Sequence, residues 1–410
     1  MRRQIHFGLI VAGGLLSSCA NEPLPRTSIS VVVDSAGVVI VQHGDVYAAD
    51  LPAWRLGPEP LMSIGADAEA ADYQFHRIHD VTRLNDGSVA VIDNSRTLRL
   101  FDSAGTHVWT AGGEGEGPGE FRYPNAVHVI NADSLLVWDG LANRLSVFTR
   151  SGQFVRDASA RAFSRPTATW GVTGRGAILI EERAAERVTI DGHRAIRHPS
   201  DYYLVNLDSE VGRNLGRRMY DTGFQEIDEN GAFSSAIFAT SAVIAPSHDG
   251  LWYGDTQEYE LREEVGPEET RRVVRWRGPD RTVHESDVRA VLAKWSEGAE
   301  PETRRYLAEY GRTHPRADHF PAYEKLIVDQ ERRLWVQDYV KDHSDDGRRR
   351  WLVFSPDGEQ VLARATMPAS LEAYDIGDNW LLGVEKDDLG VEAVVLYSVL
   401  LDSNEQRTVR

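Results

Sequence analysis

Short segments in which hydrophobic and polar residues alternate recur along the chain, and most of them end at a glycine or an aspartate. Alternation with a period of two predicts β-strands with one buried face. Residues 75–105 form one such unit, which opens on Phe75, and residues 121–152 repeat its order from Phe121. A repeat of roughly 45 residues is typical of β-propeller blades, each a sheet of four short strands.

The same pattern divides the chain into six units. The predicted units are 78–112, 125–158, 167–208, 238–276, 326–366 and 371–397. The last unit has only three strands, whereas residues 54–65 form an outer-strand pattern without a sheet of their own. Pairing of 54–65 with 391–397 would supply the missing strand and remove the free edges of an open ring. We therefore predict an all-β fold, a six-bladed β-propeller over residues 29–401 that its N-terminal outer strand closes.

Residues 115–121 read Gly-Glu-Gly-Pro-Gly-Glu-Phe and lead into a strand. Together with the blade pattern, this motif resembles NHL-type six-bladed β-propellers, and in particular bacterial propeller lipoproteins of this shape. The resemblance is strongest over 75–160, weaker over 320–400 and weakest over 161–320. It implies a protein that binds a peptide, a protein or a glycan, although some relatives are metal-dependent lyases or lactonases. A shared fold alone does not decide between these activities.

A helical pattern interrupts the strands at about 284–313, between the fourth and fifth units. Ser286 is the predicted N-cap of a helix that ends at Gly298, and Pro301 and Gly311 begin and end a second helix. The first helix carries an apolar stripe made of Val288, Val291, Leu292 and Trp295. The stripe either packs against the propeller or makes the helices a lid over its central channel.

The N-terminus has the features of an exported lipoprotein. Arg2 and Arg3 precede a short apolar run that is too brief to span a membrane, which predicts a signal peptide over 1–18. The run ends in Leu-Ser-Ser-Cys, which resembles a bacterial lipobox, so Cys19 is the predicted lipid-modified residue. Residues 19–28 then form a polar tether and 402–410 a polar tail. Ala20, rather than Asp, after the cysteine favours the outer membrane.

Charge and cysteine content exclude several function classes. The formal net charge is −18, and removal of Arg2 and Arg3 with the signal peptide makes it two units more negative. Such a protein repels nucleic acid, so we expect no nucleic-acid partner. The single cysteine excludes an internal disulfide, and its use as a lipid anchor leaves no thiolate nucleophile. We expect a monomer that the membrane holds through its lipid anchor.

Four aspartates end the predicted second strands of their units: Asp93, Asp139, Asp255 and Asp338. If the adjoining loops share one face of the propeller, these carboxylates form a ring around the channel mouth. Ca²⁺ is the cation that such an oxygen-rich ring would hold, because it takes six to eight oxygen ligands. Alternatively, each aspartate accepts hydrogen bonds from backbone N–H groups of its own turn.

Arginines stand at or after the same strand ends: Arg96, Arg144 and Arg183. With Asp93, Asp139 and Glu182 they would form a ring that holds a zwitterionic or carboxylated ligand through bidentate contacts. Alternatively, they only bridge neighbouring blades. Tyr123 and Trp170, which stand near the beginnings of innermost strands, are further candidates for ligand contact.

Two function classes remain. The leading hypothesis is a membrane-anchored, extracytoplasmic binding or scaffold propeller without catalysis. The alternative is a metal-dependent hydrolase or lyase, similar to the lactonases, with its site in the central channel. The innermost strands offer His79, Asp80, His128 and Asp329 there, but these residues form no clear ligand set.

The lipobox generates the first testable prediction. We expect Cys19→Ser to move the protein from the detergent phase to the aqueous phase when membranes are extracted with a detergent that separates on warming. The control variant Asn21→Ser, two residues beyond the modified position, should stay with the parent in the detergent phase. Equal partition of Cys19→Ser and the parent would show that Cys19 does not anchor the protein.

Overall fold

A computed structural model describes most of the chain after the predicted tether. The described residues are 30–65, 70–159, 166–184, 188–190, 195–197, 199–207, 212–219, 225–227, 233–235, 237–313, 316–341 and 345–401. The predicted signal peptide, Cys19, the tether 19–28 and the tail 402–410 lie outside these residues.

Strands dominate the described residues. In the first half of the chain they are β1 (Ser30–Ser35), β2 (Val38–Asp45), β3 (Ala53–Leu56), β4 (Met62–Ile64), β5 (Ile78–Arg83), β6 (Val89–Asp93), β7 (Thr97–Phe101), β8 (His107–Gly112), β9 (Pro124–Asn131), β10 (Ser134–Asp139), β11 (Arg144–Thr149), β12 (Phe154–Ser159), β13 (Pro166–Val172), β14 (Ile178–Arg183), β15 (Val188–Ile190), β16 (Ala195–Arg197), β17 (Pro199–Val205) and β18 (Arg213–Met219). In the second half they are β19 (Gln225–Ile227), β20 (Phe233–Ser235), β21 (Val243–Pro246), β22 (Leu251–Gly254), β23 (Glu260–Gly266), β24 (Glu269–Arg277), β25 (Tyr323–Val328), β26 (Leu334–Asp338), β27 (Arg348–Phe354), β28 (Val361–Pro368), β29 (Leu371–Ile376), β30 (Trp380–Lys386) and β31 (Glu392–Leu401). The helices are α1 (Glu285–Trp295), α2 (Pro301–Thr313) and a single 3₁₀ turn at Ala71–Tyr73.

Most of these strands pair antiparallel with their neighbours in the chain. They form the sheets β5-β6-β7-β8, β9-β10-β11-β12, β13-β14-β17-β18, β21-β22-β23-β24 and β25-β26-β27-β28, and β29-β30-β31 takes β4 as a further strand. The second strand of a sheet is buried on both faces, as in β6, where all of Val89–Asp93 is buried. A strand covered by sheets on both sides reads as a continuous apolar run rather than an alternating one.

The first strand of each of these sheets contacts the first strand of the next. The contacts run from β5 to β9, β9 to β13, β13 to β21, β21 to β25 and β25 to β29, and then from β29 back to β5. Apolar side chains fill the space between successive sheets, as where Leu98 and Phe121 share a core cluster with Val137. A closed circle of antiparallel sheets packed face to face is a β-propeller.

A segment near the start of the described residues and one near their end pair in the last sheet. Met62–Ile64 in β4 pair with Val394–Leu396 in β31, which is the pairing predicted between 54–65 and 391–397. Further along, β3 pairs with Val399–Leu401 of the same strand and runs parallel to β28 of the preceding sheet. The N-terminal segment therefore joins two neighbouring sheets rather than completing only one.

Residues 30–45 form a feature that the sequence pattern did not predict. The hairpin β1–β2 extends an outer sheet edge, because β2 runs parallel to β24. His43 on β2 makes a hydrogen bond of 2.7 Å from Nε2 to the carbonyl oxygen of Gly358, which ties the hairpin to the following sheet. The predicted third unit differs too: its outer strand is β18, beyond the predicted end at 208, and β15, β16, β19 and β20 form a small separate sheet.

The two predicted helices are present between β24 and β25, with different ends. The first begins at Glu285, after His284, whose backbone N–H donates to Asp287 at 2.8 Å, so Ser286 is not its N-cap. The second begins at Pro301 as predicted but continues through Gly311 to Thr313. A Cβ at Gly311 would overlap Leu292 of α1, so this glycine permits the close approach of the two helices rather than ending one.

The helices pack on the body of the protein. Val288 and Val291 of α1 form a buried cluster with Ile237, and Leu292 and Tyr310 pack against it. Neither helix, nor any other helix among the described residues, is long and apolar enough to cross a membrane.

The closing strand generates the second prediction. Ile64 on β4 is 1% exposed, whereas Leu61, just before the strand, is 65% exposed. We expect Ile64→Ala to lower the free energy of unfolding by about 2–5 kcal/mol, because a large buried side chain is lost at the seam. Leu61→Ala should change it by less than about 0.5 kcal/mol. Denaturant unfolding of both variants measures this, and equal effects would mean that β4 does not stabilise the ring.

Candidate functional site

The first strands of the sheets surround a cavity of about 940 Å³, here called the central cavity. All six strands of the circle contribute to its wall, so it occupies the axis of the propeller. Among the helices described above, none has a residue in this wall. The helices are therefore not a lid on the cavity in this structure, and the packing alternative describes them.

The wall of the central cavity has two halves of different chemistry. Every charged residue in it comes from or directly follows β5, β25 and β29, which are neighbours in the circle. These residues are Asp80, Arg83, Glu324, Lys325, Asp329, Glu331, Arg332 and Asp375. The opposite half, from β9, β13 and β21 and the residues next to them, contains no Asp, Glu, Lys or Arg among the described residues. Its members include Val129, Ile130, Trp170, Val172 and Ile244.

Asp80 is held on the wall by backbone groups of two sheets. Its carboxylate accepts the N–H of Val81 at 2.9 Å and the N–H of Val127, on the next sheet, at 2.8 Å. Burial raises the pKa of Asp80 to about 7, and the nearby Asp375 acts in the same direction. The two N–H donors and Lys325 oppose this effect without cancelling it.

Asp375 has an equivalent position one sheet earlier. Its carboxylate accepts the N–H of Arg83 at 3.0 Å and the hydroxyl of Thr82 at 3.4 Å, both from β5. Burial raises the pKa of Asp375 to about 6, and the N–H of Arg83 lowers it in part. The two carboxyl groups therefore lie on adjoining strands, each bonded to the following strand, and the charge of Asp375 raises the pKa of Asp80.

Lys325 and Tyr374 complete the charged half near Asp80. The Lys325 ammonium donates to the carbonyl oxygen of Ala373 at 2.8 Å and to Glu372 at 3.3 Å. It also lies 5.3 Å from the centre of the Tyr374 ring. Burial raises the pKa of Tyr374, and the charges of Glu372 and Asp80 add to this effect, so its hydroxyl stays protonated at neutral pH.

Polar groups on the uncharged half are neutral. His128 makes a hydrogen bond of 2.9 Å from Nε2 to the hydroxyl of Thr169 on the next sheet, and burial lowers the pKa of His128 to about 4. Trp170 donates its indole N–H to the carboxylate of Glu181 at 3.0 Å, which fixes the ring. Glu181 is itself buried and accepts the hydroxyl of Ser200 at 2.7 Å. Trp170, a predicted ligand contact, thus lies on the cavity wall.

Two aspartates of the predicted carboxylate ring accept hydrogen bonds from backbone N–H groups of their own sheets. Asp93 accepts the N–H of His76 at 2.9 Å and that of Ser95 at 3.1 Å. Asp139 accepts the N–H of Arg122 at 2.6 Å in the equivalent place. Each aspartate therefore ties the incoming loop of its sheet to the turn after the second strand, which is the alternative that the sequence left open.

The other two predicted acids have different partners. Asp255 accepts the N–H of Gln257 at 3.0 Å, and Asp338 accepts the hydroxyl of Tyr47 at 2.5 Å. Burial raises the pKa of Asp338 to about 6. No three His, Cys, Asp or Glu side chains among the described residues come together as a group able to hold a metal ion. The structure therefore does not gather Asp93, Asp139, Asp255 and Asp338 into a calcium site.

Two arginines of the predicted ring of alternating acids and arginines have ion-pair partners outside that ring. Arg96 forms an ion pair with Glu114, and Arg144 forms one with Asp157 at 3.6 Å. The arginine beside Asp93 is Arg99, at 3.4 Å. Tyr123 packs against His79, with ring centres 4.8 Å apart. Neither these residues nor Asp139 and Arg183 contribute to the wall of the central cavity.

Sequence reasoning missed the residues that dominate the charged half. Asp80 and Asp329 were noted as channel candidates, but Lys325, Tyr374 and Asp375 were not. The sequence signal that could have identified them is their position on the first strand of each unit, because side chains of that strand reach the axis.

Solved structures resemble this chain over most of its length, but with low sequence identity and low TM-scores. No family profile matches the sequence, and no curated protein matches it significantly. A protein of Bacteroides fragilis described as exported is 13% identical and covers 88% of this chain and 99% of its own, with a TM-score of 0.49. A DUF4221 member from Bacteroides vulgatus is 10% identical and covers 85% and 99%, with a TM-score of 0.47. The calcium-binding protein regucalcin from Agrobacterium tumefaciens is 12% identical and covers 85% and 96%, with a TM-score of 0.38.

The half-buried carboxyl group of Asp80 generates the third prediction. The pKa of Asp80 in the folded protein, about 7, lies above the ordinary value of an aspartate. The folded state therefore binds this proton more tightly than the unfolded state. The protonated Asp80 carboxyl contributes its full stabilisation of the folded state below about pH 4, and this contribution is lost as the pH rises through 7. We expect the free energy of unfolding to fall less between pH 5 and pH 8 in Asp80→Asn than in the parent, as measured by denaturant unfolding.

The control for this prediction is Asp133→Asn, which removes the same charge from an exposed turn. Its denaturant midpoints should follow the parent's at every pH. If Asp80→Asn and the parent showed the same pH dependence, the Asp80 carboxyl would not hold its proton in the folded protein.

Proposed function

We propose that the protein is a binding propeller of six blades, of NHL type, whose ligand enters the central cavity. The circle of contacts among the first strands, which returns from β29 to β5, supports the blade count. The observation that carries the binding function is the cavity of about 940 Å³, whose charged groups are confined to one half of the wall. Pockets of this size with a few convergent polar groups are typical ligand sites.

We further propose that the protein works outside the cytoplasm, lipid-anchored to the outer membrane. The signal pattern, the Leu-Ser-Ser-Cys motif and Ala20 support this location. The ligand is then a peptide, protein or glycan of the cell envelope. The alternative of a metal-dependent hydrolase or lyase has no group of three metal-ligating side chains among the described residues to support it.

Filling the central cavity generates the fourth prediction. Val172 is a half-buried wall residue at the end of β13, and Val108 is an exposed residue on the outer strand β8. We expect Val172→Trp to abolish the binding of ligands that the parent captures from peptide and glycan arrays, because the indole occupies the space that they need. Val108→Trp carries the same substitution outside the cavity and should bind as the parent does.

Thermal unfolding of both variants distinguishes lost binding from lost folding. Undiminished binding by folded Val172→Trp would place the ligand elsewhere on the surface. Failure of the parent to bind any array member would contradict a peptide- or glycan-binding function.

A further inference from the structure

The charged half of the central cavity contains two carboxyl groups that have no bonded cation among the described residues. Neither Asp80 nor Asp375 forms an ion pair within the described residues, and both accept only backbone N–H groups and one hydroxyl. In contrast, Asp329 on the same half is paired with Arg333 at 2.6 Å. A cation in contact with either carboxylate would add Coulombic attraction to these hydrogen bonds.

The cations on that half are engaged elsewhere. Lys325 turns to Ala373 and Glu372, as described above, and Arg332 donates to the carbonyl oxygen of Ser247 at 3.3 Å. The Arg83 guanidinium lies over the Trp380 ring at 4.6 Å. Acids outnumber bases on the wall, which contains the acids Asp80, Glu324, Asp329, Glu331 and Asp375 and the bases Arg83, Lys325 and Arg332. The half therefore has room for one more positive charge, next to Asp80 and Asp375.

The opposite half offers a ligand apolar surface beside its neutral polar groups. Val129, Ile130, Val172 and Trp170 are only partly buried on the cavity wall, so they keep apolar surface for a ligand to cover. Covering such surface contributes about 25 cal/mol of binding free energy per Å² of apolar surface removed from water. A ligand that suits both halves has a cationic group on one side and apolar groups on the other.

We infer that the central cavity receives the free amino terminus of a peptide or protein whose first side chains are apolar. This inference rests on the proposed binding function and selects one of its ligand classes. A terminal ammonium is a cation with three N–H donors for the carboxylates of the charged half, Asp80 and Asp375 among them, and the side chains that follow it extend toward the uncharged half. A neutral glycan offers many hydroxyl groups but no positive charge for the charged half.

The experiment compares two forms of one tripeptide, Leu-Leu-Val amide, with the amino terminus free or acetylated. Acetylation removes the positive charge and leaves every side chain in place. We expect the parent to bind the free form at least tenfold more tightly by isothermal titration calorimetry. Gly-Gly-Gly amide, which keeps the ammonium but lacks apolar side chains, should also bind at least tenfold more weakly than Leu-Leu-Val amide.

Variants locate the ammonium. Asp80→Asn and, separately, Asp375→Asn should each weaken binding of the free tripeptide at least tenfold and leave the acetylated form unaffected. Asp133→Asn, with the same change of charge on an exposed turn, should behave as the parent does. The comparison of free and acetylated tripeptide on the parent needs no variant, so it stands even if one of these substitutions disturbs folding.

The outcomes separate this inference from the function on which it rests. Equal affinity of the parent for free and acetylated tripeptide, with binding lost in Val172→Trp, would overturn the ammonium site and keep a ligand in the cavity. Tripeptide binding that Val172→Trp does not affect would overturn both. Failure of the free tripeptide to bind, together with array capture that Val172→Trp abolishes, would overturn the inference alone.

Discussion

Everything in this structure depends on the fact that each sheet is apolar on both faces. A single sheet such as β5-β6-β7-β8 can cover neither face alone, so every sheet needs a neighbour on each side. Only a closed circle gives each sheet two neighbours, and the contact from β29 back to β5 closes it. The seam lies beside β31, where Met62 and Ile64 from the N-terminal segment become part of the buried core.

The circle leaves the first strands facing an axis where no further strand can pair with them, so polar side chains link them instead. Asp80 accepts a backbone N–H of the next strand, Asp375 does the same one sheet earlier, and His128 bonds to Thr169. These bonds stabilise neighbouring sheets at the axis. They also put ionisable groups on the wall of a cavity, so that the contacts that hold the circle together create the chemistry of the candidate site.

Sequence patterns predicted the parts of the fold that follow from local periodicity. The two units around Phe75 and Phe121, the pairing of β4 with β31 and the start of α2 at Pro301 were all visible as alternation, turns or helix starts. The hairpin β1–β2 was not, because β2 joins β24 in parallel across a long stretch of chain and carries no signal for this pairing. Gly311 was misassigned because a glycine that ends a helix and one that admits a neighbouring helix are identical in sequence.

The candidate site was less predictable for a related reason. The aspartates that end their strands, Asp93 and Asp139, attract attention in the sequence because they recur, yet recurrence here reflects a turn that every such sheet needs. Asp375 corresponds only to Asp80, and Lys325 has no lysine counterpart on the other first strands, so neither forms a visible repeat along the sequence. The residues of a site are those that differ between units. Their role becomes clear only when the structure shows which of these positions face each other across the axis.

Charge on the whole molecule supports a cationic ligand independently of any single contact. The formal net charge of −18 creates a negative potential around the protein, and the wall of the central cavity has the same sign in excess. Walls of low dielectric constant focus such a field along the axis, which raises the local concentration of positively charged ligands and repels anions. On the proposed function, the same carboxylates that join the first strands would therefore act on the approach of the ligand as well as on its binding.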